Sequence, residues 1–322
     1  MNMNDMVIIS VDDHISEPPD MFDKHLSGED LATAPKLRTN ADGTNYWEYQ
    51  GMIMPSVGLN AVVGRPLEEY GMEPSSFGQL RKGVYDVHAR IDDMNVNGIA
   101  ASLNFGTCVG FDGGRFHKAA DKGKARIHMR AYNDWHIDEW CGAYPGRFIP
   151  CALLPTWDMK ATVEEIGRIA KKGCTTVSLN ENPTTQGLPS IHNEYWEPMW
   201  KAITDNNMTI CLHIGAGNPV PEPPSLVLLA ADLLDAVVAL APVTDAGRVY
   251  DEHLGEDAAL DYFGSGPEVA ADVYRDASPV HRRAPECPTL LVHGAADDRV
   301  PLAHTLDYLA ALPEAPGSRG CG

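Results

Sequence analysis

The sequence predicts an α/β protein: an incomplete TIM-like (β/α) barrel of about five strands over residues 1–218, joined to a different region over residues 219–322. Two observations support this prediction. Short apolar segments alternate with amphipathic segments without hairpin turns through the first region, and this pattern is typical of parallel strands joined by crossover helices. The composition then changes abruptly near residue 218, so we expect the barrel to stop there.

Five short apolar segments of the first region fit buried parallel strands. Each is bounded by turn residues or by a helical segment, and each is too short for a buried helix. In chain order they are "VIIS" (7–10), "GIAASLNFGT" (98–107), "RFIPCALLP" (147–155), "TTVSLN" (175–180) and "MTICLHIG" (208–215).

Three segments between these strands have helical periodicity. In residues 124–144 the apolar side chains recur at intervals of four, and in "MKATVEEIGRIAKKGC" they recur at intervals of three, as expected for an amphipathic helix. Gly173 ends the second helix, since glycine is the usual residue just past a helix C-terminus. "EYWEPMWKAITDNN" predicts a third helix, with Pro198 either in its first turn or at a kink.

Charge and cysteine content exclude several classes of function. The 25 Lys and Arg against 45 Asp and Glu give a formal charge of −20, which repels phosphate backbones and anionic membranes. We therefore expect neither nucleic acid nor membrane as a partner. The seven cysteines are scattered without a CxxC pair, so we expect reduced thiols, a cytoplasmic location and no thiolate zinc site. A small-molecule substrate fits this profile, and the oligomeric state stays open.

Five residue types disappear near residue 218. The last Trp, Lys, Met, Ile and Asn are at positions 200, 201, 208, 214 and 218, and the remaining chain carries its basic charge on Arg and His. Domain boundaries normally shift hydrophobicity or Pro and Gly content. The loss of five types at once suggests two joined coding sources, with the Pro-rich "GNPVPEPPS" (217–225) as the junction.

Candidate metal ligands stand at the ends of the first and fifth predicted strands. Asp12 and His14 are one residue apart and therefore on the same face, and His213 ends the fifth strand. In a (β/α) barrel the strand C-termini converge on the active site, and one carboxylate with two imidazoles suits a zinc-like ion. Alternatives remain open: Asp12 as a turn carboxylate, Asp13 and Glu17 as solvated charges, and His213 as a core histidine.

Residues 7–218 resemble the amidohydrolase-related branch of the metal-dependent amidohydrolases, which includes hydrolases and non-oxidative decarboxylases. The resemblance rests on five blocks in order, "SVDDHISEPPDMF", "ARIDDMNVNGIAASLNFGT", "YNDWHIDEWCGAYPGRFIPCALLP", "YWEPMWKAI" and "CLHIG". It implies Asp12, His14 and His213 as ligands of a single divalent metal, since "TTVSLN" lacks a bridging Lys. Zinc is the expected metal and manganese the alternative. The resemblance also implies that a metal-bound water, or an oriented carboxylate substrate, takes part in the reaction.

The tail resembles another family. "LLDAVVALAPVTD" and "ASPVHRRAPECPTLLVHGAADDRVPLAHTLDYLAAL" are similar to the C-terminal part of an α/β-hydrolase, which implies a triad acid at Asp297. A working serine hydrolase also needs a Gly-x-Ser-x-Gly elbow and a histidine. The string "FGSGP" around Ser265 lacks the first Gly and has Pro267 in place of the last, and the triad histidine expected after a further strand beyond Asp297 is missing. The alternatives to a metal-dependent enzyme are thus a serine hydrolase or an inactive chimera. The resemblance to the amidohydrolase-related branch also implies a His near a sixth strand and an Asp ligand at an eighth, and neither segment is recognisable beyond the junction. If instead the tail completes the barrel, His293 and Asp297 replace these two residues.

Two further side chains are candidates for substrate contact. Phe105 and Asn180 stand at the ends of the second and fourth predicted strands and so face the barrel mouth, where packing is the equal alternative. We expect His117 and His128 to lie at a solvated helix start, and we interpret His88, His136 and His192 as surface or core residues.

Overall fold

The chain divides into two compact units. A computed structural model describes residues 7–55, 57–58, 61–62, 66, 75–191, 193–213, 237–240, 244–251, 266–276, 278–281, 289–292 and 301–312. The units are Met1–Gly217 and Asn218–Gly322. Each is described by itself.

Strands of the first unit form the expected parallel succession. The nine strands of its described part are β1 Ile8–Ile15, β2 Lys36–Thr39, β3 Asn45–Tyr49, β4 Met52–Met54, β5 Ile99–Gly106, β6 Phe148–Ile149, β7 Cys151–Leu153, β8 Thr176–Leu179 and β9 Thr209–Leu212. β1, β5 and β6 pair in parallel, and so do β7, β8 and β9. The five predicted strands are confirmed in this order, the third divided in two.

Pro150 marks that division. It lies between β6 and β7, and proline has no N–H to donate to a strand ladder. β6 closes one three-stranded sheet against β5, with Ser102 opposite Phe148. β7 opens the next against β8, with Cys151 opposite Thr176. The predicted continuous strand 147–155 therefore changes sheets at the proline.

The described part of the first unit has six α-helices, of which the last three lie where the sequence predicts helices and the first three were not predicted. They are α1 Gly28–Thr33, α2 Val87–Val96, α3 Gly114–Lys118, α4 Lys122–Asp134, α5 Met159–Lys171 and α6 Glu197–Asp205. Aspartates at the N-caps of α2, α4 and α5 each accept a backbone N–H three residues on, which satisfies a donor that the first helical turn leaves free. Pro198 lies in the first turn of α6, and Gly173, with φ +85°, follows α5.

The segment predicted as one helix over 124–144 changes its winding. α4 continues directly as a π-helix over Trp135–Cys141. A Cβ on Gly142 would lie 2.2 Å from the carbonyl oxygen of Asp138, so the end of this wide turn accommodates no side chain. The π-helix places Trp135, His136 and Trp140 in the interior.

An antiparallel sheet occupies part of the long connection between β1 and β5. β2 pairs with β3, and β3 with β4. The Gly- and Pro-rich composition of this stretch hid these strands from the sequence analysis. Trp47 and Tyr49 of β3 are buried at 1% exposure and join the hydrophobic core together with α4 residues such as Met129 and Tyr132.

Two histidines expected in solvent are buried. His117 is 8% exposed and His128 0%, so that prediction is wrong. His128 donates through Nε2 to the Asp30 carbonyl at 2.9 Å, and its Nδ1 forms a hydrogen bond with the Tyr49 hydroxyl at 3.0 Å. The antiparallel sheet, which the sequence analysis missed, supplies the Tyr49 side of this burial.

The second unit is described over short segments. β10, Val237–Leu240, pairs in parallel with β11, Thr289–Val292. Three helices are described, α7 Ala246–Asp251, α8 Pro267–Asp276 and α9 Ala303–Ala311. Thr244 donates to the His304 carbonyl and Ser278 to the Tyr274 carbonyl. Over the described part of the whole chain, no helix is both long and apolar enough to cross a membrane.

Candidate metal centre

Asp12, His14 and His213 converge at the C-terminal ends of β1 and β9. Asp12 Oδ1 lies 3.0 Å from His213 Nε2 and 3.9 Å from His14 Nε2. The two Nε2 atoms are 3.2 Å apart. Residues that are 199 positions apart in the chain thus point one ligand atom each at a common centre.

The spacing of these three atoms fits a divalent ion. Zinc bonds of about 2.0–2.1 Å to N and O in a tetrahedral arrangement separate the ligand atoms by about 3.3 Å, close to the distances above. Among the described residues, this is the group of His, Cys, Asp and Glu whose ligand atoms lie close enough to hold a metal. The side chains of Asp12, His14 and His213 are 57%, 30% and 12% exposed, so a small molecule can approach from the Asp12 side.

Electrostatics favour the ligating forms of Asp12 and His14. The hydrogen bond with His213 lowers the pKa of Asp12, so the carboxylate is ionised at neutral pH. Burial is the largest cause that lowers the pKa of His14. A neutral imidazole retains the lone pair that a metal requires.

β1 runs through the ligand pair rather than ending before it. The strand extends to Ile15, and its register against β5 shifts between Ser10 and Asp13. Ser10 pairs with Ser102 and Asp13 with Asn104, three steps on β1 against two on β5. Such a bulge re-aims the side chains that follow it.

Polar contacts behind the strand hold this bulge. Asp13 accepts hydrogen bonds from Ser10 at 2.6 Å and from Ser102 at 2.5 Å, and the Arg90 guanidinium donates to the His14 carbonyl at 2.5 Å. Asp13 is therefore a structural acceptor beside the ligands, which differs from the solvated charge that was its alternative.

The burial of Glu17 differs most from what the sequence analysis expected. It is 0% exposed, so its interpretation as a solvated charge is wrong. One carboxylate oxygen accepts the backbone N–H groups of Cys108 at 2.8 Å and Thr107 at 3.2 Å. Thr107 in turn donates to the Ile15 carbonyl at 2.8 Å. Glu17 and Thr107 thus join the end of β1 to the end of β5.

Two phenylalanines line the triad. The Phe105 ring lies 4.9 Å from the His213 ring and 5.9 Å from the His14 ring, centroid to centroid. Phe111 lies 4.1 Å from His213 and 4.9 Å from His14. Phe105 also packs with Leu103 and Cys151 of the inner strand faces. The site is therefore a polar triad set against an apolar wall.

Comparison with known proteins assigns the family. The sequence profile described as amidohydrolase matches residues 107–315, well over half of the chain. The chain belongs to the amidohydrolase family. The match continues across the predicted junction at 217–225, so family-like sequence extends on both sides of it. No curated protein matches the chain.

Several solved structures are similar to this chain. An amidohydrolase from Mycobacterium avium subsp. paratuberculosis K-10 is 14% identical over 96% of this chain and 88% of its own, with a TM-score of 0.58. IDCase from Metarhizium anisopliae is 17% identical over 90% and 78%, with a TM-score of 0.49. A manganese-bound dihydroxybenzoic acid decarboxylase from Polaromonas sp. JS666 is 14% identical over 94% and 90%, with a TM-score of 0.44. The first of these likenesses indicates a TIM-like α/β barrel for this chain.

Asn180 of this amidohydrolase follows β8 and is 7% exposed. Its amide nitrogen donates to Asp112 at 2.8 Å, and its amide oxygen accepts from the Asn182 backbone at 2.7 Å. Asp112 itself is 4% exposed, and no sequence signal distinguished it from the neighbouring loop residues. Both amide atoms of Asn180 are thus engaged within the protein.

The remaining candidates lie elsewhere in the chain. Asp297, His293 and Ser265 are outside the described residues, so their roles stay predictions, as does the α/β-hydrolase interpretation of residues 225–322. Glu17 and Asp112 are the buried carboxylates that sequence reasoning missed. A signal for Glu17 was present in retrospect, since it follows the ligand pair within the same motif.

Proposed function

We propose that this amidohydrolase is an enzyme that holds one divalent metal ion between Asp12, His14 and His213 and acts on a small carboxylate or cyclic substrate. The reaction is a hydrolysis or a non-oxidative decarboxylation. Zinc suits the ligand set best and manganese is the alternative. The observation that carries this proposal is the 3.0–3.9 Å spacing of the three ligand atoms.

The chain's own groups have distinct tasks at such a centre. A divalent ion supplies Lewis acidity and lowers the pKa of a nearby water molecule. Asp12 contributes the negative charge, and His14 and His213 contribute neutral nitrogen donors. Phe105 and Phe111 exclude water from one side, and the Phe105 ring is the proposed substrate contact, as predicted from its strand-end position.

The C-terminal region enters the proposal through Asp297. We keep the division into a barrel region, 1–218, and an α/β-hydrolase-like fragment, 219–322, as a proposal about the origin of the chain. The family match to residue 315 favours a tail that belongs to the enzyme, and Asp297 stays its predicted acid. If so, Asp297→Asn abolishes turnover; a chimeric tail leaves the chain inactive before and after that change.

Metal content tests the central claim. The purified protein is analysed for zinc and manganese by mass spectrometry, alongside His14→Ala, His213→Ala and the matched control His88→Ala. His88 is an exposed histidine that contacts Tyr144 at 2.9 Å. We expect one ion per chain in the wild type and in His88→Ala, and loss of the ion in the other two variants. A wild type that takes up no added metal contradicts the proposal.

A labelling experiment addresses the alternative function. A fluorophosphonate probe reacts with the activated serine of a serine hydrolase. We expect no label on this chain, because no Gly-x-Ser-x-Gly elbow occurs in it. Stoichiometric labelling would replace the metal-dependent proposal by the serine-type one.

A further inference from the structure

The placement of Phe111 is unusual for a loop residue. Among the described residues, its ring is the aromatic side chain closest to His213, at 4.1 Å between centroids, and it lies 6.4 Å from Phe105. Phe105 is fixed by β5, whereas Phe111 lies in the connection between β5 and α3. Something other than a strand ladder must hold the Phe111 side of the apolar wall.

The backbone around Phe111 turns sharply on both sides. Gly110 and Gly113 have φ of +82° and +77°, the left-handed region that favours glycine. A Cβ on Gly113 would approach the Met129 side chain to 3.0 Å and Leu153 to 3.3 Å. The loop is therefore pressed against α4 and β7 at one end, and its orientation toward the triad depends on what lies between the glycines.

Asp112 lies between them and is bound from three directions. Its carboxylate accepts the Asn180 amide at 2.8 Å, the Gln186 amide at 2.7 Å and the Gly114 backbone N–H at 2.9 Å. Asn180 and Gln186 come from the end of β8 and from the turn after it, 68 and 74 residues along the chain. A buried carboxylate satisfied by neutral donors is costly to displace, because each donor would lose its acceptor away from water.

We infer that Asp112, held by Asn180 and Gln186, is the positioning residue that fixes the Phe111 ring over the metal triad. This inference rests on the proposed function, since it concerns the wall of that same site. Asn180, predicted from its strand-end position to touch substrate, instead acts through Asp112: its amide nitrogen and oxygen are both engaged by protein partners. Loss of this anchor frees Phe111 while β5 keeps Phe105 in place.

Fluorine NMR on cobalt-loaded protein measures this directly. The full chain is labelled with 4-fluorophenylalanine at its seven Phe positions, and the Phe105 and Phe111 resonances are assigned with Phe105→Leu and Phe111→Leu. Paramagnetic cobalt(II) shifts both resonances in the wild type, because both rings flank the triad. In Asn180→Leu and Asp112→Asn we expect the Phe111 resonance to lose most of its paramagnetic shift, whereas the Phe105 resonance keeps its shift and cobalt still binds at one ion per chain.

A control variant and a milder variant make the test specific. Asn193→Ala removes another asparagine whose side chain caps a short helix by accepting the Tyr195 backbone N–H at 2.9 Å, and it should leave both resonances unchanged. Gln186→Leu removes one donor from the half-buried edge of the anchor. If circular dichroism shows that Asn180→Leu or Asp112→Asn does not fold, the Phe111 shift in Gln186→Leu tests the positioning role instead.

The outcomes separate the two proposals. Unchanged Phe111 shifts in the folded variants, or a wild-type Phe111 resonance that cobalt does not move, overturn the positioning role. If the wild type takes up no cobalt, the proposed function fails, and the metal-free spectra decide the positioning role alone. A Phe111 resonance that moves in the anchor variants but not in Asn193→Ala then supports the role, and an identical resonance in all of them overturns it.

Discussion

Asp12 and Asp112 are two aspartates near the same ends of neighbouring parallel strands, yet their environments are opposite. The Asp12 side chain is 57% exposed and faces two imidazoles. Asp112 is 4% exposed and is surrounded by amides and a backbone N–H. The His213 hydrogen bond lowers the pKa of Asp12, whereas burial raises the pKa of Asp112.

The difference teaches how one residue type serves two tasks in one site. As a proposed metal ligand, Asp12 must stay charged and reachable, and its imidazole neighbours and exposed side chain allow both. An anchoring carboxylate needs a fixed orientation rather than a charge, and three neutral donors fix the orientation of Asp112. Environment, rather than position at a strand end, decides which carboxylate takes which role.

The stability cost of removing the anchor is the largest effect that this comparison predicts. Asp112→Ala leaves the Asn180 amide, the Gln186 amide and the Gly114 N–H without their acceptor, and each buried unsatisfied donor costs about 1–3 kcal/mol. We expect the free energy of unfolding in urea to fall by about 3–5 kcal/mol. The matched change Asp12→Ala, at an exposed side chain, should cost less than about 1 kcal/mol in metal-free protein. Equal losses for the two variants would contradict the contrast.

For metal affinity we expect the reverse order, with a larger loss from changing Asp12 than from changing Asp112. Asp12→Asn keeps the size of the side chain but removes the charged ligand. Since loss of an outer-shell partner alone costs about 10–100-fold, we expect a drop of about 100-fold or more, near 2.7 kcal/mol, in competition titrations with a chromophoric chelator. Asp112→Asn should retain affinity within about threefold, below 0.7 kcal/mol. A large loss in Asp112→Asn would make the anchor part of the metal centre itself.

The sequence carried the triad because its members stand in readable contexts. Asp12 and His14 are one residue apart after an apolar run, and His213 ends another such run, so barrel topology alone brings them together. The strand order and three helices were readable for the same reason, through period and length. β1 nevertheless runs past the predicted end to Ile15, because polar side chains that accept hydrogen bonds across β5 do not interrupt the ladder.

The burial of Asp112 and of Glu17 could not be predicted in this way. Asp112 stands among glycines, a context typical of a solvated turn, and its side-chain donors Asn180 and Gln186 are more than 60 residues away in the chain. Glu17 looks like a surface charge until the Cys108 and Thr107 amides are seen against it. Tertiary contacts between distant loops decide such burial, and neither hydrophobic period nor local turn chemistry encodes them.

Imidazoles show the same contrast, and pH makes it measurable. His136 is 0% exposed, and burial lowers its pKa to about 4. As the pH falls below the ordinary value of 6.5, the unfolded chain takes up a proton that native His136 does not, so the free energy of unfolding decreases until about pH 4. Above pH 6.5 this contribution is constant.

The expected size follows from about 1.4 kcal/mol per pH unit for one such group. Between pH 6.5 and 5, wild-type stability should fall by about 2 kcal/mol more than that of His136→Asn, in urea titrations at matched ionic strength. The exposed-ring control His88→Gln should follow the wild type. A parallel pH dependence in wild type and His136→Asn would mean that His136 is protonated in the native state.

The smallest expected effect tests whether charge alone could account for the contrast between the two aspartates. Asp205 of α6 is, like Asp12, an exposed carboxylate, and its oxygens lie 2.9 and 3.0 Å from the Lys201 ammonium group. The Lys201 side chain is 75% exposed and the Asp205 side chain 56%. Water therefore screens the pair, and its coupling should be about 0.3–0.5 kcal/mol. A double-mutant cycle with Lys201→Ala and Asp205→Ala measures this coupling, which 1 M salt should reduce further, since the screening length is then about 3 Å.

An ion pair with full opposite charges would then contribute less than the neutral donors around Asp112, because burial rather than formal charge sets the cost of losing a partner. A coupling comparable to the Asp112→Ala loss would reverse that conclusion.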